Sequence, residues 1–397
     1  MSNFKKYYIY HTLYAIGFMF CSGAIMQTFL LQAGFSERQV YIFNSFIQMA
    51  QVLMMLVMTF LAGKIRKVKR ITGLSYLSLI LLAFVFFLGA INPAILGKRY
   101  IVAIFICAGV SYIGLGLYTV LAYCLPYHII DMKDYGKMTS IGGTVAGLAT
   151  FALSFLHTFI VAKFNYMQAT AWFFALAIGC FILTSLLCLS LRERENATAV
   201  QTSRDDMIAV FKNKHTYILL LPNFTRGIAT GVMSVITVVA ITTGLLNAVN
   251  SSYINIVTQI TALAGSLAYA FCCGKLSSKT LLLIATIGIC CAFPFCLTIG
   301  KIGFLILLCA TYFFRNIVDI AIPVLVTEII PQKQIGAYTS IRMLVFTGAQ
   351  AVATLIITPI VALVGYTGLL VFATIMQLFC GAVYYAVAQI SKKSTTL

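Results

Sequence analysis

The chain has 397 residues, 61% of them hydrophobic and 9% charged, with a mean hydropathy of +1.00. A soluble domain carries about 25% charged residues, so this composition excludes a soluble enzyme, a secreted disulfide scaffold and a disordered chain. The net charge of +18 would point to nucleic acid in a soluble protein. Here the basic residues lie in short loops between apolar runs, so they read as membrane topology signals and no nucleic-acid partner is expected.

Apolar runs occupy 7–32, 40–62, 71–91, 100–125, 138–161, 169–191, 216–243, 253–273, 280–299, 303–326, 337–364 and 366–389. One spanning helix needs about 20 apolar residues, so twelve take about 240 and leave the rest for loops. The expected fold is therefore an all-α membrane protein of twelve transmembrane helices. Helices satisfy every backbone polar group within the segment, and the short alternating strands of a β-barrel are not seen. Lys5 and Lys6 precede a run too long for a signal-peptide core.

With the N-terminus placed inside, nineteen Lys and Arg fall in inner segments, five (Arg38, Lys98, Arg99, Lys163, Lys301) in outer ones, and three are embedded. This bias predicts cytoplasmic termini. The longest polar stretch, 192–215, lies at the midpoint and divides the chain into an N-terminal half, 1–191, and a C-terminal half, 216–397. Most of the 12 cysteines lie inside apolar runs, including Cys272–Cys273 and Cys290–Cys291, where free thiols behave as small hydrophobes. No ligand spacing suggests a metal, and no cofactor is expected.

The halves resemble each other. Asn44, Gln48, Gly63 and Lys64 recur as Asn255, Gln259, Gly274 and Lys275, and HIIDMKDYGKMTSI (His128–Ile141) recurs as EIIPQKQIGAYTSI (Glu328–Ile341). Both matches fall at the same place in their half. Six helices return the chain to the side where it began, so the repeats run parallel.

Twelve helices in a six-plus-six repeat, with a charged central loop, resemble the major facilitator superfamily. The family's best-known signature, between helices 2 and 3, is Gly-x-x-x-Asp-Arg/Lys-x-Gly followed by basic residues. The sequence GKIRKVKR (Gly63–Arg70) keeps the glycine and the basic run but lacks the aspartate. In the second copy, GKLSSK, Ser278 stands in its place. The Gly-Pro pair of the family's antiporters is absent from helix 5, which reads GGTVAGLATFALSF. The resemblance implies a central cavity lined by helices 1, 4, 7 and 10, with the two halves rocking about a substrate near the midplane.

Three ionisable residues inside spans stand out: Arg226 in helix 7, Arg315 and Asp319 in helix 10. Each costs about 2.5–3.5 kcal/mol on insertion scales and needs a partner or a watery cavity. Arg315 and Asp319, four apart, share one helix face. In the functional reading Asp319 takes up a proton or orients an arginine, while Arg226 or Arg315 meets an anionic group, for which the guanidinium fork is suited. The alternative is a local ion pair pinning helix 10, with Arg226 held by backbone carbonyls. The stripe Asn44, Gln48, Gln51, echoed by Asn255 and Gln259, offers hydrogen bonds to a hydroxylated ligand or glue between helices. Helix 4 carries Tyr112, Tyr118, Tyr123 and Tyr127; Tyr118, nearest mid-span, is its cavity candidate. His157 has no evident partner, and Trp172 reads as an interface anchor. Gly143–Gly147 and Gly227–Gly231 read as close helix contacts.

No nucleophile elbow, phosphate loop or other catalytic motif is present, so the chain reads as a secondary active transporter and not an enzyme. Its expected partners are a small polar or anionic solute, the lipid bilayer and protons, and it is expected to be a monomer in a bacterial inner membrane. The alternative function is a transport-inactive receptor or assembly factor on the same scaffold.

Overall fold

The structure is a computed structural model describing residues 2–61, 65, 67–129, 132–193, 212, 218–273, 275–330 and 335–394. The glycines Gly63 and Gly274, the side chains of Tyr123 and Tyr127, and most of the 192–215 segment lie outside the described residues.

The helices in chain order are α1 (Asn3–Phe20 and Gly23–Gln32), α2 (Glu37–Leu61), α3 (Val68–Ile91), α4 (Lys98–Ile129), α5 (Met132–Lys163) and α6 (Tyr166–Leu189). They continue with α7 (Leu220–Ser234 and Ile236–Thr242), α8 (Ala248–Cys272), α9 (Ser278–Ala292) and α10 (Gly300–Ile329). The last helical run, Ile335–Ser394, is 60 residues long. Straight, it would measure about 90 Å, three times the hydrocarbon thickness. Gly365, at φ 71°, breaks it into α11 (335–364) and α12 (366–394). Among the described residues ten helices, counting this run once, are long and apolar enough to span, and the two segments of α7, bent by 40°, make an eleventh span. Dividing the run at Gly365 gives twelve, the number expected from hydropathy.

Contacts divide the chain into two compact units: Met1–Gln201 with Leu246–Ile256, and Thr202–Leu245 with Val257–Leu397. In the first, α1 packs on α5 and α6, α2 on α4, and α3 on α4 and α6. Its core is rich in tyrosine, with Tyr7, Tyr10 and Tyr76 buried among Met58, Leu121, Leu125 and Cys188. The start of α8 belongs to this unit, where Ser251 and Thr28 share a hydroxyl hydrogen bond of 2.8 Å. In the second unit, α7 packs along the α11–α12 run and α9 on α10. Large apolar side chains point outward, among them Phe271 and Leu363, as a lipid-facing surface requires. Trp172, at the start of α6, is 76% exposed, as an interface anchor should be.

The basic signature loop also has a structural task. Lys69 Nζ donates to the carbonyl of Leu191 (2.6 Å) and Lys6 Nζ to that of Ser190 (2.6 Å). Both carbonyls follow the end of α6, where orphan acceptors and the negative pole of the helix favour cations. In return Glu193 accepts from the Lys69 backbone N–H (2.7 Å) in the first turn of α3. The family aspartate is missing from the loop, but a carboxylate reaches the start of α3 from beyond α6.

Candidate functional site

The charged residues meet inside the second unit. Their meeting depends on how closely α7 and α11 approach. A Cβ on Gly227 would lie 2.5 Å from the Phe346 carbonyl oxygen and 2.6 Å from the Ala349 Cβ; one on Gly231 would lie 2.7 Å from the Ala353 Cβ. Only glycine fits there, so the expected close contact is present at this pair. The other pair differs: Gly143 has no described atom within 4 Å of an added Cβ, so it is not at a tight helix contact.

The close approach carries Arg226 over the Phe346 ring, with its guanidinium carbon 4.8 Å from the centroid. Arg226 Nη2 donates to Asp319 Oδ1 across to α10. Arg315 Nε lies 3.8 Å from Asp319 Oδ2, beyond direct hydrogen-bond reach, and its guanidinium is 5.5 Å from the Tyr312 ring. Tyr312 in turn donates to the Met233 carbonyl on α7 (3.2 Å), tying the two helices together. The helix partner suggested by spacing, Arg315, is thus the looser one. The tight partner of Asp319 comes from another helix, and Arg226 is held by that carboxylate and a ring, not by backbone carbonyls.

Exposure grades across the triad. The Arg226 side chain is 9% exposed, Arg315 26% and Asp319 37%. The carboxylate is therefore the member most open to protons and solute. It holds one guanidinium tightly and a second loosely.

The neutral candidates are distributed elsewhere. Tyr118, half-buried on α4 in the first unit, packs at 4.7 Å from Tyr14 and 5.0 Å from Tyr76, ring centre to ring centre. Gln48 on α2 is half-buried, and its Oε1 has no hydrogen-bond partner among the described residues. Its stripe neighbours are engaged: Gln51 donates to Thr119 on α4 (3.0 Å), and Asn44 to the Val40 carbonyl (2.9 Å). Gln259 is half-buried on α8 in the second unit.

The sequence reading did not single out two residues, Asn223 and Arg342. Asn223, one turn before Arg226, is wholly buried and donates to the hydroxyls of Tyr384 (2.7 Å) and Tyr338 (3.2 Å). Arg342, one turn after Tyr338, is 8% exposed. The spacing of Asn223 to Arg226 was a legible signal, whereas the pairing with α11 and α12 is tertiary. His157 is enclosed in the first unit by Phe173 (4.8 Å), Phe20 (6.0 Å) and Tyr166 (6.3 Å), and neither ring nitrogen has a hydrogen-bond partner among the described residues.

No group of three or more His, Cys, Asp or Glu among the described residues is arranged to hold a metal ion. A search of curated proteins finds no match to the sequence. Several solved structures share the fold. A D-xylose–proton symporter is 14% identical, with 96% of each chain covered and a TM-score of 0.71. The E. coli fucose:proton symporter FucP is 16% identical, with 98% of each chain covered and a TM-score of 0.64. The nucleoside transporter NupG is 15% identical over 100% of each chain, at a TM-score of 0.64. The sequence model of the Major Facilitator Superfamily matches residues 8–354. Twelve spanning helices in two parallel-repeat halves agree with that match: the chain belongs to the Major Facilitator Superfamily of membrane transporters.

Proposed function

We propose that this transporter moves a small polar or anionic solute by alternating access and that a proton gradient drives it. Arg226 and Arg315 meet the anionic group, and Asp319 carries the proton. The observation that carries this reading is the triad itself, two guanidinium groups sharing one half-open carboxylate inside a spanning unit. Ionised Asp319 competes with an incoming anion for the same arginines. Protonation removes that competitor, so proton and anion favour each other's binding, and by linkage the effect is reciprocal. Such cooperation is what symport requires. Two of the structural neighbours are by name proton symporters, of xylose and of fucose, which supports the same coupling here. Tyr118, Gln48 and Gln259 serve in this reading as neutral contacts to the solute.

The same proposal includes the arrangement of the chain. Residues 1–191 and 216–397 act as the two moving halves, 192–215 is the cytoplasmic linker, and the monomer sits in a bacterial inner membrane with both termini inside. Single cysteines replacing Lys98 or Lys163 should then react with an impermeant thiol reagent from outside. Those replacing Lys67 or Lys212 should react only in opened cells, and labelling at 67 in intact cells would reverse the topology. The function is tested by flux in proteoliposomes. An imposed inward proton gradient should drive accumulation of an anionic solute, and accumulation indifferent to the gradient would remove the coupling.

A further inference from the structure

The charges inside the second unit do not balance. Arg226 and Arg315 share Asp319, but Arg342 on α11 is equally enclosed. Its Nε has no hydrogen-bond partner among the described residues, and neither described ion pair of the unit includes it. Among the described residues of this unit's interior, three guanidinium groups therefore face one carboxylate. A membrane-embedded cation without an anion is costly.

Arg342 also belongs to the same polar strip as the triad. Tyr338 lies one turn before it on the same helix face, and the Tyr338 and Tyr384 hydroxyls are drawn together by the Asn223 amide. Arg342 also lies one turn before Phe346, whose ring sits beneath the Arg226 guanidinium. Cys380, fully buried on α12, lies one turn before Tyr384. The strip thus runs from Arg315 through Asp319, Arg226 and Cys380 to Tyr384, Tyr338 and Arg342, all within one unit. One end is held by a carboxylate, and the other has no ion-pair partner among the described residues.

We propose that Arg342 is the second cationic point of the anion site, and that the solute is a small dianion, a dicarboxylate or a phosphate monoester. This rests on the reading of the triad as an anion site and adds the number of charges. A dicarboxylate places one carboxylate on Arg226 and Arg315 as Asp319 is neutralised and the other on Arg342; a phosphate monoester divides the oxygens of its single doubly charged group among the same guanidinium forks.

The test uses the purified full-length protein and measures thermal stabilisation by succinate and glycerol phosphate as dianions against propionate and nitrate as monoanions, at equal ionic strength. The wild type should prefer one of the dianions by about tenfold or more, the worth of one charge-assisted hydrogen bond; succinate alone would indicate a dicarboxylate and glycerol phosphate alone a phosphate ester. Arg342→Gln should lower dianion affinity to the monoanion level and leave monoanion affinity within about twofold, while Arg342→Lys retains part of the preference. If Arg342→Gln does not fold, the wild type still decides. A phosphate monoester takes its second charge near pH 6, so where glycerol phosphate is the preferred dianion its affinity relative to sulfate should rise between pH 5 and 7; a wild type that prefers neither dianion over the monoanions would overturn the proposal. Loss of monoanion binding in Arg226→Gln, with an unchanged preference in Arg342→Gln, would refute the second point and leave the anion site standing. Binding of no anion of either charge would refute both.

Discussion

The interiors of the two units solve the same architectural problem with different chemistry. In the first, the buried polar groups among the described residues are neutral: a tyrosine cluster around Tyr10, Tyr14, Tyr76 and Tyr118, the Gln51–Thr119 bond and the enclosed His157. In the second, α7, α10 and α11 bring Arg226, Arg315, Arg342 and Asp319 into the interior. A parallel repeat copies helices and their order, but it need not copy charge. Neutral hydrogen bonds between helices are worth about 0.6–2 kcal/mol and hold a fold together. Charges at the same depth are expensive unless something answers them. In the proposed reading the first unit supplies scaffold and ring contacts and the second handles ions.

Breaking the charged side should have the largest consequence. Asp319→Asn removes the titrating group while keeping its shape, so accumulation driven by a proton gradient should be abolished and downhill exchange of solute retained. Transport assays in the two modes separate these outcomes, and full accumulation by the variant would take Asp319 out of the coupling role.

The scaffold beneath the charges should respond next. Gly227→Leu forces a side chain against the Phe346 carbonyl, 2.5 Å from the new Cβ position. Overpacking of this kind costs about 1–3 kcal/mol, so the melting temperature and folding yield should fall. The displaced Arg226 should weaken transport as well. The same change at Gly143, which has no described neighbour within 4 Å, should leave stability nearly unchanged. Equal effects at both glycines would contradict the close α7–α11 approach.

The neutral side should respond least. Gln51→Ala removes the hydrogen bond to Thr119 (3.0 Å) between α2 and α4, at a cost of about 0.6–2 kcal/mol. The melting temperature should drop by a few degrees while the apparent affinity for solute stays the same. A change of affinity larger than the change in stability would move Gln51 from glue to ligand contact and blur the division between the units.

The sequence made depth legible but not rotation. Hydropathy located twelve spans, and Gly365 marked the boundary between the last two because a free φ is needed where one span turns into the next. The depth of Arg226, Arg315 and Asp319 followed from their position along their runs. Which residue Asp319 grips did not, because spacing describes one helix, whereas the grip depends on how α7 is turned toward α10. The α7 break at Val235 carries neither glycine nor proline and was invisible for that reason. Arg342 counted as an embedded charge, but its companions Tyr338, Tyr384 and Asn223 come from three helices and converge only in the fold.

Arg226 is the central residue of the proposed anion site. The decisive measurement is the dissociation constant of the anion that binds best among succinate, glycerol phosphate, propionate and nitrate, taken together with melting temperature, for the wild type, Arg226→Lys and Arg226→Ala. Anion recognition by a guanidinium fork predicts that both variants fold and bind about tenfold or more weakly, the lysine included because it keeps charge without the fork. Unchanged affinity in a well-folded Arg226→Ala protein would contradict the claim and leave the triad as a structural ion pair.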